Sequence, residues 1–372
     1  MTDAIDTDTG TDTRERDYIT DLPHITPDLK GTGGKIREKN EYFQVEEIPL
    51  YEPSGSGNHL YVNVTREGIT TRDLQERFAE VFNVKPDKVG CAGMKDKNAK
   101  VTQTFSVEVG KTEEDMMDDF LEETMEKIAQ ALPVTVNWVR MHNNKLRVGH
   151  LIGNRFTIRI TGLQMEPIVA LERARVIADK IRVIGLPNFY GPQRFGFRGE
   201  NVSKGLDIIL NKYRLDDKWL RRLLVSSYQS YLCNRYLAKR IEKGFFGKIL
   251  KGDIAKKHET GGLFEVQDPI IEQPRYERNE ISFTAPIYGS DMKPVTGEAA
   301  DLEAEVLRDA GMTMDQLNKA GANGTRRPGR IFPKDINIGK DPDYPESLTV
   351  TFTLPKGGFA TTFLREIMKV PV

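Results

Sequence analysis

Cysteine is scarce in this chain. Cys91 and Cys233 form no CxxC pair, which argues against a structural zinc site or a disulfide framework. The five histidines, His24, His59, His142, His150 and His258, show no ligand spacing with them, so no metal is expected. Long apolar runs are also missing. No stretch approaches the roughly 18 apolar residues of a membrane span, and the N-terminus lacks the charged and apolar blocks of a signal peptide. A cytoplasmic protein with no membrane association is therefore expected. Charge of one sign is absent locally: from Val134 to Met165 there is no acidic residue, while Arg140, Lys145, Arg147, Arg155 and Arg159 supply five positive charges. The first 22 residues are the reverse, with seven acids and two arginines, so the formal charge of -1 divides into -5 there and +4 over the remaining 350. The basic stretch, and a second one in "GTRRPGR" (Gly324 to Arg330), suit a phosphate backbone or simply a solvated face.

A chain of 372 residues is long for one core, so two domains are expected. Residues 1–22, polar and acidic, read as a disordered tail. Phe43 and Val45 then begin a strand pattern, and Leu60, Val62 and Val64 alternate in a second strand. Leu74, Phe78, Val81 and Phe82 mark one side of a helix, and Met117, Leu121, Met125 and Ile128 form the apolar stripe of another, read as core. Phe156, Ile158 and Ile160 alternate after a Gly153-Asn154 turn, and a helix follows from Pro167 to Ile184. Beyond it lies a loop dense in glycine, proline and aromatics, then long helical stretches, with Gly244 as a helix C-cap. The alternation returns at Leu348, Val350, Phe352 and Leu354. This order suggests an α/β domain built from both chain ends with a helical section inserted.

The segment "GCAGMKDKNAKVTQTFSVEV", Gly90 to Val109, places Lys95 and Asp96 in a short glycine-led loop before a strand. Lys95 is expected to pair with Asp96, leaving an acceptor-only carboxylate aimed at a substrate. An ordinary loop salt bridge is the competing reading. Gly90 and Gly93 would permit close backbone approach, and Thr102 and Gln103 add polar groups nearby.

"AGMKDKNAKVTQTFSV" resembles the catalytic motif of the TruD family of tRNA pseudouridine synthases. Five further segments resemble that family's motifs in the same order: "EYFQVEEI", "GHLIGNRFTIRI", "LPNFYGPQRFG", "SSYQSYLCNRYL" and "LPKGGFATTFLREI". Tyr42 and Ile152 depart from the pattern, standing where an acidic residue and a lysine are common.

The resemblance implies an α+β pseudouridine synthase catalytic domain with a mixed or antiparallel sheet, at 23–184 and 332–372, and a mainly helical insertion at 185–331. It implies Asp96 as the catalytic residue, acting on the ribose of a uridine, without metal or cofactor. Lys95, Phe43, Asn154 and Phe359 would contact that nucleotide, with the two phenylalanines packing about the base and Asn154 hydrogen-bonding it. The implied partner is tRNA, modified at position 13 in the D arm, with no obligate protein partner. In the loop Leu186–Gly199, aromatics are expected to be largely structural and some polar residues to face RNA. An RNA glycosylase that releases the base, and a non-catalytic tRNA-binding or chaperone protein, are the rival readings.

Overall fold

The computed structural model describes residues 17–110, 116–341 and 343–372. The chain begins with β1 (Gly33–Lys35), β2 (Phe43–Pro49), β3 (His59–Glu67), α1 (Thr71–Val81), β4 (Val89–Cys91), β5 (Lys100–Glu108), α2 (Met117–Ala131), β6 (Thr135–His142), β7 (Leu151–Leu163) and α3 (Pro167–Ile184). A middle section follows, with β8 (Leu186–Pro187), α4 (Glu200–Ile209), α5 (Lys218–Glu242), β9 (Ile254–Lys257), β10 (Leu263–Glu265), α6 (Pro269–Glu277), β11 (Ile281–Ile287), α7 (Gly297–Asp309), α8 (Met314–Lys319) and β12 (Thr325–Pro328). The chain returns through β13 (Arg330–Ile331), β14 (Lys334–Asp341), β15 (Tyr344–Pro355) and α9 (Ala360–Met368).

The main sheet draws on both chain ends. Its strand order is β14-β15-β7-β2-β5-β3-β6, with β1 added to β7 and β4 to β5. Every pairing is antiparallel except β2 with β5, which makes the sheet mixed. Apolar alternation explains the layers. Phe156, Ile158 and Ile160 of β7 and Val350, Phe352 and Leu354 of β15 bury one face against α3 and α9. Leu60, Val62 and Val64 of β3 pack with α1 and α2, whose stripe residues Met117, Leu121, Met125 and Ile128 all join this core. Thr70 caps α1 by accepting from Asp73 N, while Leu74 and Phe78, each contributing about 2 kcal/mol by burial, anchor its inner face.

The middle section has its own core around α5, in which Leu232, Tyr236 and Leu237 are fully buried. Gly244, with φ of 70°, directly follows the C-cap of α5, the position where a left-handed residue ends a helix. This section is more than helical, because β10-β9-β11-β12 form a four-stranded antiparallel sheet within it. Those strands are short, and sequences such as "IAKK" and "TRRP" carry no period-2 alternation.

Three further expectations change. Residues 1–16 lie outside the described residues, but Tyr18, Ile19 and Leu22 pack on the middle core, so the expected tail does not extend to Leu22. Asn154 lies within β7 rather than in a turn. A Cβ on Gly153 would sit 2.1 Å from the Leu354 carbonyl oxygen, so that glycine serves close strand approach. "GTRRPGR" is neither a phosphate patch nor a solvated face. Arg330 is buried, Arg326 forms a buried ion pair with Glu303 at 2.6 Å, and Arg327 stacks on Tyr190 at 3.9 Å.

Candidate active site

Residues 92–99 connect β4 to β5, its antiparallel neighbour, and buried polar groups fix their path. Gln103, fully buried in β5, donates to Gly93 O at 2.6 Å and accepts from the Thr71 hydroxyl at 3.2 Å. Thr71 in turn accepts from Lys95 N at 2.9 Å. Beneath them Arg66 donates to Thr71 at 3.0 Å and to the carbonyls of Asp96 and Lys95 at 3.3 and 3.4 Å. Burial lowers the pKa of the Arg66 guanidinium, with the Asp96 charge opposing, and an arginine remains a cation under such a shift. A loop held by buried donors presents its side chains without ordering cost at each encounter. Gly90 serves this packing, since a Cβ there would lie 2.2 Å from Leu146 O, whereas the space beside Gly93 is open to a side chain. Thr102 bonds Thr65 across the strands at 2.8 Å and is structural.

Asp96 reaches a cleft floored by Phe43, Val45, Asn154 and Phe156 and walled by Gln193 and Phe359. Its Oδ2 accepts from Arg37 Nη2 at 2.8 Å and from Gln193 Nε2 at 2.7 Å. Among the described residues no hydrogen bond reaches Oδ1. The carboxylate is 32% exposed, enough for a ligand to touch it. Arg37 holds a left-handed φ of 63° and lies 4.2 Å over the Phe43 ring, so one guanidinium clamps the carboxylate and covers the aromatic wall. Phe43 is only 2% exposed and forms the back of the cleft rather than an open stacking face.

Lys95 does not provide the cation for Asp96. Its Nζ lies 2.8 Å from Glu47 Oε2 and donates to Asn154 Oδ1, also at 2.8 Å. The reason is geometric: β2 and β7 place Glu47 and Asn154 as direct cross-strand partners, and Lys95 reaches both. Lys95 and Glu47 side chains are 6% and 3% exposed, so Glu47 is committed to an ion pair and does not line the cleft.

Phe359 sits half-buried just before α9, with the Tyr190 ring 5.8 Å away. A Cβ on Gly191 would lie 3.0 Å from the Phe359 ring and 2.7 Å from the Thr361 hydroxyl, so glycine lets the Tyr190–Gln193 turn close on the cleft. Asn234 pins that turn by accepting from Tyr190 N at 2.8 Å and donating to Tyr190 O at 3.1 Å. Phe189 and Phe195 are buried, as expected of structural aromatics. Asn188 is buried too, donating to Pro328 O at 2.9 Å, and Arg194 is tied to Ser226 and Ser230. The fold thus brings Asp96, Lys95, Asn154, Phe43 and Phe359 together. Sequence reading missed Arg37 and Glu47, and left Gln193 as one polar residue of a loop. Their partners lie 59, 48 and 97 positions away, and no local pattern announces such contacts.

The family model for tRNA pseudouridine synthase D (TruD) matches residues 20–216 and 213–367. The tRNA pseudouridine synthase D of Anaeromyxobacter dehalogenans is 39% identical over 360 residues, covering 94% of this chain and 97% of that protein. The Thermus thermophilus enzyme of the same name is 40% identical over 348 residues, covering 94% and 92%. A crystal structure from Methanosarcina mazei, provisionally assigned as tRNA pseudouridine synthase D, superimposes with a TM-score of 0.73 at 24% identity, covering 94% of this chain and 96% of its own. At that identity it speaks for the fold alone.

Proposed function

This chain belongs to the TruD family of tRNA pseudouridine synthases and is an isomerase, and we propose that Asp96 is the catalytic residue by which it converts a uridine of tRNA, at position 13 in the D arm, to pseudouridine. The observation that carries this reading is the asymmetry of the Asp96 carboxylate. Arg37 and Gln193 hold Oδ2, and Oδ1 is left for a substrate in the cleft. The target nucleotide must leave the RNA stack to reach it, with Phe43 and Phe156 at the floor of its pocket and Phe359 as a wall. Asp96 then acts on the ribose as nucleophile or base while the N1–C1′ bond breaks. The freed uracil turns and C5 bonds to C1′, which releases the Asp96 carboxylate if it had bonded there or returns the ribose proton if it had taken one; the C5 proton passes to solvent and N1 gains one. Atoms balance, and the RNA keeps its mass.

The middle section, which we take as a unit spanning 185–331, delivers Gln193 to Asp96 and would hold the rest of the tRNA. Its base is closed by the pairing of β8 with β13.

Asp96→Asn keeps the shape of the side chain but removes the anion. Single-turnover pseudouridine formation should vanish, while filter binding of the same tRNA stays within about twofold, because affinity comes mainly from phosphate and shape contacts. Substantial residual turnover would falsify the role of Asp96. A drop in RNA mass would instead indicate base release. Failure of the wild-type enzyme to free tritium from C5-labelled uridine would indicate a protein that only binds. Nucleotide-resolution mapping in tRNA from a deletion strain tests the D-arm position.

A further inference from the structure

A lysine ammonium has donors and no acceptor, so the Asn154 atom 2.8 Å from Lys95 Nζ must be the carboxamide oxygen. Turning the amide over would set an NH2 group against an NH3 group. The orientation of Asn154 is therefore imposed chemically, and its Nδ2 is the atom left to face the cleft. Among the described residues that nitrogen has no acceptor. Glu47, the cross-strand partner of Asn154, holds Lys95 from the other side at 2.8 Å. A buried pair of this kind gives little net stability over apolar residues of the same size, so stability alone is a poor reason for it. Fixing a polarity is a better one.

We propose that Glu47 and Lys95 are positioning residues that lock Asn154 as a hydrogen-bond donor toward O4 of the flipped base, so that the site accepts uridine and rejects cytidine. This rests on the uridine-isomerising function proposed above. Uracil offers an acceptor at O4, whereas cytosine carries an amine donor at that position. Against a locked donor the cytosine amine would be left unpaired in an enclosed site, and buried unpaired groups are costly. If Asn154 could turn freely, it would present its oxygen to cytosine and the distinction would fade.

The test uses full-length protein and two tRNAs that differ only in uridine or cytidine at the isomerised position, in an Asp96→Asn background so that binding is read without turnover. The background protein should bind the cytidine tRNA at least about tenfold more weakly, equivalent to roughly one hydrogen bond lost. Adding Lys95→Met should bring the ratio close to one, and Lys95→Arg, which keeps a donor, should preserve it. Asn154→Asp presents acceptors only and should turn the preference toward cytidine. A ratio unchanged in both Lys95→Met and Asn154→Asp, with the two affinities falling together, would overturn the inference and leave a structural role. If Lys95→Met fails to fold, the Asn154→Asp ratio decides alone. Absence of pseudouridine after incubation of the wild-type enzyme with the parent tRNA would defeat the functional reading itself, and the inference with it.

Discussion

Acid titration of Glu366 gives a stability prediction that can be worked from contacts. Its carboxylate is fully buried in α9 and takes hydrogen bonds from Ile25 N at 3.1 Å, Thr26 Oγ1 at 3.0 Å and Lys369 Nζ at 2.7 Å, with His24 Nδ1 at 3.3 Å. Burial by itself would raise its pKa, but the hydrogen bonds and charges of His24 and Lys369 outweigh it and bring the value down to about 2 from 4.5. A carboxylate with a depressed folded pKa adds stability that is present above pH 4.5 and is lost as pH falls through 2. The difference corresponds to about 3 kcal/mol. At roughly 2.1 cal/mol/K per residue, a chain of this length should lose about 4 °C of Tm when the contribution is removed. Glu366→Gln should therefore melt about 4 °C below wild type at pH 7, and the gap should close between pH 4.5 and 2. Calorimetric scans across that range provide the measurement. A gap that stays constant with pH would show that the carboxylate charge contributes nothing and would refute the reasoning.

Three other outcomes are expected. Gln193→Ala removes one of the two donors on Asp96 Oδ2, so single-turnover isomerisation should slow about tenfold with tRNA binding retained, as read by rapid-quench and filter assays. Binding of tRNA should weaken with salt; Arg147→Ala, at an exposed cation, should reduce the log-log slope by up to about 0.9, whereas Arg159→Ala should leave it unchanged because that side chain is committed to Asp341 at 2.6 Å. Asp253→Ala strands Arg240, fully buried and bonded to it at 2.7 and 2.9 Å, and should destabilise the middle section by about 3–5 kcal/mol in thermal unfolding.

What was legible in the sequence follows from the range of the interaction. Strand alternation and helix stripes are local, so β2, β3, β7, β15, α1, α2 and α3 are visible in the chain itself. Asp96, Asn154 and Phe359 are visible through motif resemblance. The assignment of partners is not. Placing Lys95 beside Asp96 in sequence invites a pairing that the fold refuses, because Lys95 turns inward to Glu47 and Asn154 while Asp96 meets Arg37 and Gln193. Arg37 carries no local mark at all. Its role comes from a left-handed turn that swings the guanidinium over Phe43. Arginines also misled as a class, since Arg326, Arg330 and Arg159 look like a basic surface in one dimension and are spent on internal carbonyls, carboxylates and aromatic rings.

The return of the chain to β7 sets an order of events during synthesis. β7 is complete at Leu163, and its partner on the far side, β15, begins only at Tyr344, with the whole middle section translated in between. At about 5–20 residues per second, the ~180 intervening residues leave that edge of β7 uncovered for roughly 10–40 s. An open apolar edge of this kind is a pairing hazard, and Gly153 within it lacks the side chain that would obstruct a wrong partner. Phe359 emerges later still. A nascent chain therefore carries Asp96 long before it carries the wall opposite, and the cleft between them takes shape only once Phe359 has followed β15 out of the ribosome.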